Sequence, residues 1–410
     1  MKGLADFMPT EYAVICDHYA EFPETDNYFI KSDAPSLIKT RDGALLCAVP
    51  LHFKGPPRDD VASLQFYRSQ DGGETWSKLP CGSHFCAGTL FRHGELLYFL
   101  GTGPGERREN CEGVRIISSK DEGQTWTKPT NLFKGTTHYQ PAGSYVMRGG
   151  QIYWCFATDY RYPNGVPTTY CIAGDLSRDL TDPAAWRISN GVGDPGVPPC
   201  LTRGEGKTKW LEGNVVDVNG RLQVCWRYMI DGRSTVGIGA ICGLVDDGSE
   251  LRYSFAQFYP LPGAQNHFHI VFDEASGLFW MTANLPTHSQ DAALAERLKA
   301  NPRYASNQPG MERRILALYC SFDALNWLPA SYVIVWPLMR QASNYCGLLI
   351  DEDDLLVAAR TSRNGRNQHD NDLTTFHRIR KFRDSASHLR PREECAQGLV
   401  NVQQPQDATG

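Results

Sequence analysis

The chain has 410 residues, 41% hydrophobic and 21% charged, with a formal net charge of -5 at pH 7. This is enough apolar material for a large core, with no whole-chain basic footprint for nucleic acid. No apolar run is long enough to cross a membrane.

The first residues, Met1-Lys2-Gly3-Leu4-Ala5-Asp6-Phe7, lack the apolar core of an export signal. The thirteen cysteines form no CxxC pair, and no N-x-[ST] sequon is present. Several cysteines (Cys47, Cys155, Cys225, Cys320) sit inside apolar strand-like runs, where a thiol acts as a small hydrophobe. Together these lean toward a reducing, cytoplasmic setting, with secretion left open if a leader has been removed.

Residues 1–31 hold one strand-like piece, Tyr12-Ala13-Val14-Ile15-Cys16, expected to close a ring against the last repeat. From Ser36 a pattern recurs six times: a short apolar strand, a turn with Gly or acidic residues, and a more apolar strand. The copies begin at Ser36, Thr89, Tyr145, Val215, Ile270 and Gly347. A third strand follows most copies and twice ends in the same octet, Ser69-Gln70-Asp71-Gly72-Gly73-Glu74-Thr75-Trp76 and Ser119-Lys120-Asp121-Glu122-Gly123-Gln124-Thr125-Trp126.

The octet has a physical logic. Asp bonds backbone N–H groups across the turn, Gly takes a left-handed conformation, and Trp packs over the turn. Decayed forms follow at Ser321-Phe322-Asp323-Ala324-Leu325-Asn326-Trp327 and from Asp179 to Trp186. Helical periodicity is confined to a stretch from Asp291 to Ala300, inside an insertion of the fifth repeat. The expected fold is all-β: one β-propeller domain of four-stranded antiparallel blades, with six repeats counted and a seventh left open. Residues 384–410 read as a surface tail.

In such a ring, a polar residue at the start of an inner strand and another two short strands later face the same mouth. Four pairs have that offset: Tyr145 with Arg161, Glu212 with Arg227, His269 with Asn284, and Tyr345 with Arg360. His84, His138, Tyr139, Asn266 and His267 precede inner strands, and Arg313 precedes a third strand. Arginines suit bidentate carboxylate recognition, and Tyr, His and Asn suit sugar faces and hydroxyls, so the expected ligand is an acidic poly- or oligosaccharide. No Walker A, GxGxxG or HExxH motif is present, so no cofactor is required. Nothing calls for a second copy, and a monomer is expected.

The octets are Asp-boxes, and with the blade pattern they resemble the sialidase-like β-propellers over most of residues 32–383. That resemblance implies that Arg227 and Arg313 hold a carboxylate and that Tyr345 is a nucleophile with Glu212 as its base. It also implies Asp59 or Asp60 as the acid. Where sialidases carry Arg-Ile-Pro, this chain reads Asp33-Ala34-Pro35.

A second branch resembles the chain in its closing segment, from His369 to Arg383, and in the decayed box Asp182-Pro183-Ala184-Ala185-Trp186. These are the propeller polysaccharide lyases, including ulvan lyases and enzymes acting on rhamnosyl-glucuronate. That resemblance favours β-elimination at a 4-linked glucuronate. Arg161 or Arg227 would neutralise the carboxylate, His84 would be the base in competition with His138, His267 and His269, and Tyr145 would be the acid or share the base role. His138, Tyr139, Glu212, His267, His269, Arg313, Tyr345 and Arg360 would then bind substrate. The superfamily also implies a calcium ion in the central channel, with ligands not identifiable from the sequence. A glycosidase on the same scaffold, sialidase or α-L-rhamnosidase, is the alternative, and a non-catalytic glycan-binding propeller the third reading.

Overall fold

The computed structural model describes residues 11–22, 29–54, 61–103, 113–133, 138–158, 167–201, 208–230, 237–263, 265–287 and 312–389. His138 and Tyr139 are described in backbone only, and Asp59, Asp60, Arg161 and the Asp291–Ala300 stretch lie outside these residues.

Strand-forming sequence alternates with turn residues throughout, and six antiparallel sheets result. The inner strand of blade one is split. Phe29–Ser32 and Ser36–Lys39 both pair with Leu45–Lys54, followed by Val61–Ser69 and Ser77–Ser83. Blade two runs Ala87–His93, Leu96–Thr102, Val114–Ser119, Thr130–Phe133. In blade three His138–Tyr139 and Val146–Arg148 both pair with Gln151–Thr158, backed by Thr168–Asp175 and two short outer pieces. Blade four is Lys209–Val218, Arg221–Met229, Ile238–Asp246, Leu251–Pro260. Blade five is His269–Asp273, Leu278–Asn284, Ile315–Ser321, Leu328–Val335. Blade six is Ala342–Asp351, Asp354–Ser362, Leu373–Ile379, and its outer strand is the N-terminal Ala13–Asp17.

The ring is therefore closed by the first strand on the last sheet, which removes a free edge. Among the described residues there are six blades, and Phe29–Ser32 belongs to blade one rather than to a seventh. Each of the six blade-to-blade interfaces carries its own apolar cluster, from the one joining blades one and two to the one joining six and one. The fully buried tryptophans Trp154, Trp210, Trp226 and Trp280 anchor three of them. Cys47, Cys155, Cys225 and Cys320 are buried thiols in these clusters, without disulfide partners. Phe382 and Ala386, at the start of the tail, pack into the blade five–six cluster. Among the described residues no helix is long and apolar enough to cross a membrane.

The two Asp-boxes have the same hydrogen bonds. Asp71 and Asp121 accept from the N–H of Thr75 (2.9 Å) and Thr125 (2.8 Å), and Ser69 and Ser119 hydroxyls accept from Gly73 and Gly123. The Trp76 and Trp126 indoles donate back to the carbonyls of Gly73 and Gly123. In the decayed box from Ser321 to Trp327, Ala324 takes the left-handed position, φ 56°, and Asp323 still accepts from Asn326 N–H at 2.8 Å. Between Asp179 and Trp186 the indole still donates back, to the Leu180 carbonyl, and Asp179 and Asp182 accept from the N–H of Thr181 and Ala184, both at 2.9 Å.

Gly123 has φ 85°, and a Cβ there would lie 2.5 Å from Leu46 of blade one. Gly123→Ala therefore combines left-handed strain with a core clash, and is expected to cost about 2–3 kcal/mol by chemical denaturation. An unchanged midpoint would show that the turn does not rivet blades one and two.

Candidate functional site

At one end of the ring, Glu212 lies near the start of the inner strand of blade four and Tyr345 in that of blade six. Both have left-handed backbone, φ 65° and φ 50°, where strand pairing shifts register. The bulges turn these two side chains out of strand alternation and towards each other. Left-handed backbone at non-glycine residues costs about 1–3 kcal/mol, and such strain concentrates at working sites.

The Tyr345 hydroxyl donates to Glu212 Oε1 at 2.7 Å and accepts from Arg227 Nη1 at 2.9 Å. Arg227 Nη1 also bonds the second Glu212 oxygen, and its Nε donates to the Gln265 carbonyl at 2.9 Å. All three residues are at least 95% buried. Burial works against the Arg227 charge, but Glu212 and Tyr345 outweigh it and hold the guanidinium protonated more firmly than usual. Burial, with the Glu212 carboxylate, pushes the Tyr345 phenol up to about 12 against the opposing pull of Arg227 and Arg313. The phenol is thus protonated at neutral pH and hydrogen-bonded to a carboxylate that can take its proton.

Two further arginines face the Tyr345 ring: the Arg313 guanidinium carbon lies 5.4 Å from the ring centroid and that of Arg360 4.9 Å. The His267 imidazole stacks on the same ring, centroids 4.8 Å apart and planes 11° from parallel. Arg360 donates through Nε to Asn371 (3.2 Å) and through Nη2 to the His369 carbonyl. Arg313 donates through Nε to Asn266 at 3.1 Å, while its buried Nη1 has no hydrogen-bond partner. Burial, with Arg227 and Arg360 nearby, brings the Arg313 guanidinium down to about 10.

Asp33, 5% exposed, is the other carboxylate acting on Tyr345. It accepts from Ala34 N–H at 2.8 Å and stands 3.3 Å from His52 Nε2. Burial opposes its charge, but His52 and Arg360 overcome this and keep the carboxyl well below its usual range. Three guanidiniums therefore surround the ring against two carboxylates, Glu212 and Asp33. A buried cation with an orphaned N–H is costly unless an anion completes it.

Not every residue singled out in the sequence joins this cluster. Tyr145 packs against Phe91, 5.7 Å between centroids, in the core between blades two and three. The cause is the interrupted inner strand of blade three. Val146 pairs with Tyr153 and His138 with Thr158, so Tyr145 sits partway down the sheet, below the rim. Burial there pushes its phenol up to about 12.

His269, 6% exposed, accepts from Leu348 N–H at 3.2 Å and rivets blades five and six; burial takes it down to about 3. Asn284, its offset partner, donates to the carbonyls of Arg313, Ile315 and Ser343. His84 is exposed, with its carbonyl accepting from Arg115 at 3.0 Å. Asp33, His52, Gln368 and His369 entered none of the offset pairs. Asp33 lies on the strand break of blade one, and Gln368 and His369 on the long connection of blade six, where there is no periodic signal; His52 lies near the end of Leu45–Lys54, on the strand itself.

Among the described residues no group of three or more His, Cys, Asp or Glu side chains could hold a metal ion.

No family model matches the chain, and no curated protein matches it in sequence. Solved structures share its fold. An α-L-arabinanase from Penicillium chrysogenum, complexed with arabinobiose, superposes with a TM-score of 0.53 at 12% identity, over 90% of this chain and 98% of that one. A Hadza microbial sialidase gives 0.55 at 15% identity, over 90% and 68%. The sialidase of Trypanosoma rangeli, in complex with 2,3-difluorosialic acid as a covalent intermediate, gives 0.58 at 14% identity. There the chain covers 60% of the sialidase and is itself covered over 93%. At these identities the likeness is one of fold.

Proposed function

We propose that the protein is a glycoside hydrolase acting on an acidic sugar, with Tyr345 as nucleophile, Glu212 as its base, and Arg227, Arg313 and Arg360 around the substrate carboxylate. The observation that carries this reading is the Tyr345 hydroxyl shared between Glu212 and Arg227 on two opposed bulges. Glu212 takes the phenol proton as the oxygen attacks the anomeric carbon, and Arg227 steadies the charge that develops on that oxygen. A neutral phenol approaches a carboxylate-bearing centre without the repulsion a carboxylate nucleophile would meet. Arg360 answers the arginine absent at position 33: a guanidinium stands on blade six where blade one carries Asp33.

β-Elimination, which the closing segment suggested, draws less support. It calls on Tyr145 at the mouth, and Tyr145 is packed between blades two and three.

The test is a panel of aryl glycosides of N-acetylneuraminic and glucuronic acids, with rhamnosyl-glucuronate and ulvan alongside. Release of the free acidic sugar is expected. A rise in ultraviolet absorbance from a new C4–C5 double bond, without free acid, would replace hydrolysis by elimination. No turnover of any of the panel would favour a binding propeller.

A further inference from the structure

The connection between the second and third strands of blade six, residues 363–372, carries a second pair of ionisable groups at the edge of the arginine cluster. His369 Nδ1 lies 2.8 Å from Asp370 Oδ1, and the imidazole side chain is 32% exposed. The loop holding it is built. Asn367 Oδ1 accepts from both His369 N–H and Asp370 N–H at 2.7 Å, and its amide donates to Asp370 at 3.0 Å. Asp372 accepts from Arg363 and Asn364 N–H at 2.8 Å and 2.9 Å. Two arginines of the cluster grip this loop. The Arg360 guanidinium bonds the His369 carbonyl, and the Gln368 side chain accepts from Arg313 N–H at 2.9 Å.

With Nδ1 donating to an ionised Asp370, Nε2 is the atom left to exchange a proton. The charged groups acting on this ring are Lys31 from blade one, Arg360 from blade six, Arg313 before the third strand of blade five, and Asp370 on its own loop. Three cations thus oppose a positive imidazole, and one carboxylate favours it. Desolvation and these cations keep His369 well below the ordinary histidine range in the empty pocket. An anion seated on Arg313 and Arg360 would cancel much of that opposition and leave Asp370 to hold the proton.

We propose that His369 is the proton-exchanging group of the pocket, neutral when the pocket is empty and charged by proton uptake when an acidic sugar binds. The inference rests on the acidic-sugar reading above. As Tyr345 attacks and the glycosidic C–O bond breaks, the leaving oxygen takes the proton from His369 Nε2, while the phenol proton goes to Glu212. In the second half, the bond from the anomeric carbon to Tyr345 breaks as water attacks that carbon and yields its proton to His369. The departing phenolate regains its proton from Glu212.

The experiment is titration calorimetry of the whole chain with N-acetylneuraminic acid and with glucuronic acid at about pH 6, in two buffers of different ionisation enthalpy. Uptake of up to about one proton per bound acid is expected. It should vanish in His369→Gln and shrink in Asp370→Asn, with affinity at that pH weakened by roughly tenfold in His369→Gln, as linkage of binding to one proton requires. Binding without proton uptake, or uptake that persists in His369→Gln, would overturn the assignment while leaving the anion pocket standing. A His369→Gln variant with unreduced kcat would hand the acid role to Asp59 or Asp60. Failure of both acids to bind would overturn the acidic-sugar reading itself, and this inference with it.

Discussion

Tyr345→Phe is expected to lower kcat on the cleaved acidic glycoside by roughly a thousandfold or more while changing KM only a few-fold. The variant removes one oxygen. The Arg227–Glu212 pair stays closed without it, because Arg227 bonds Glu212 directly. The phenyl ring keeps its stack on His267 and its place beneath Arg313 and Arg360, so the carboxylate-holding face is preserved. What disappears is the atom that would bond to the anomeric carbon. A parallel Glu212→Gln variant should also lose most of its kcat, because the amide cannot accept the phenol proton. The measurement is steady-state kinetics with binding followed by calorimetry. A Tyr345→Phe enzyme that keeps more than a tenth of its kcat would remove tyrosine from the chemistry and leave it a packing role beneath the arginines.

The ring itself was legible because its signals are local. An Asp-box is a closed set of hydrogen bonds over eight residues, and both copies form it with the same partners. The offset rule brought two of its four pairs together: Glu212 meets Arg227, and Tyr345 lies beneath Arg360. It set Tyr145 at the mouth, but blade three breaks its inner strand, and the six-residue interruption leaves the side chain partly buried against the cluster between blades two and three. The bulges at Glu212 and Tyr345 were invisible because neither residue type favours a left-handed backbone; tertiary pairing imposes it. His269 looked like its neighbour His267, yet two residues along a strand is one step deeper into the wall, where Leu348 N–H claims its nitrogen. Asp33 and Arg360 are 327 residues apart, and only ring closure brings the carboxylate under the guanidinium's charge.

The pocket's charges make opposite predictions for stability when its members are removed singly. Glu212→Ala leaves Arg227, 3% exposed, without its carboxylate, and is expected to destabilise the protein by about 3–5 kcal/mol. Arg313→Met should do the reverse. It deletes a buried guanidinium whose Nη1 has no partner and whose neighbours Arg227 and Arg360 repel it. The losses are one bond to Asn266 and the contact with the Tyr345 ring. Methionine fills most of the volume without a polar atom, so a gain of about 1–2 kcal/mol is expected in the ligand-free protein. The same variant should bind acidic sugars at least roughly tenfold more weakly. Denaturation with and without N-acetylneuraminic acid separates the two effects, because ligand bound only to the folded state adds stability in proportion to its occupancy. The intact protein should be stabilised by the acid and Arg313→Met hardly at all, so the order of their midpoints should narrow or reverse as the acid is raised. If Arg313→Met instead destabilises the ligand-free protein as Glu212→Ala does, the arginine is a structural strut. The surplus of positive charge around Tyr345 would then not be held in reserve for an anionic substrate.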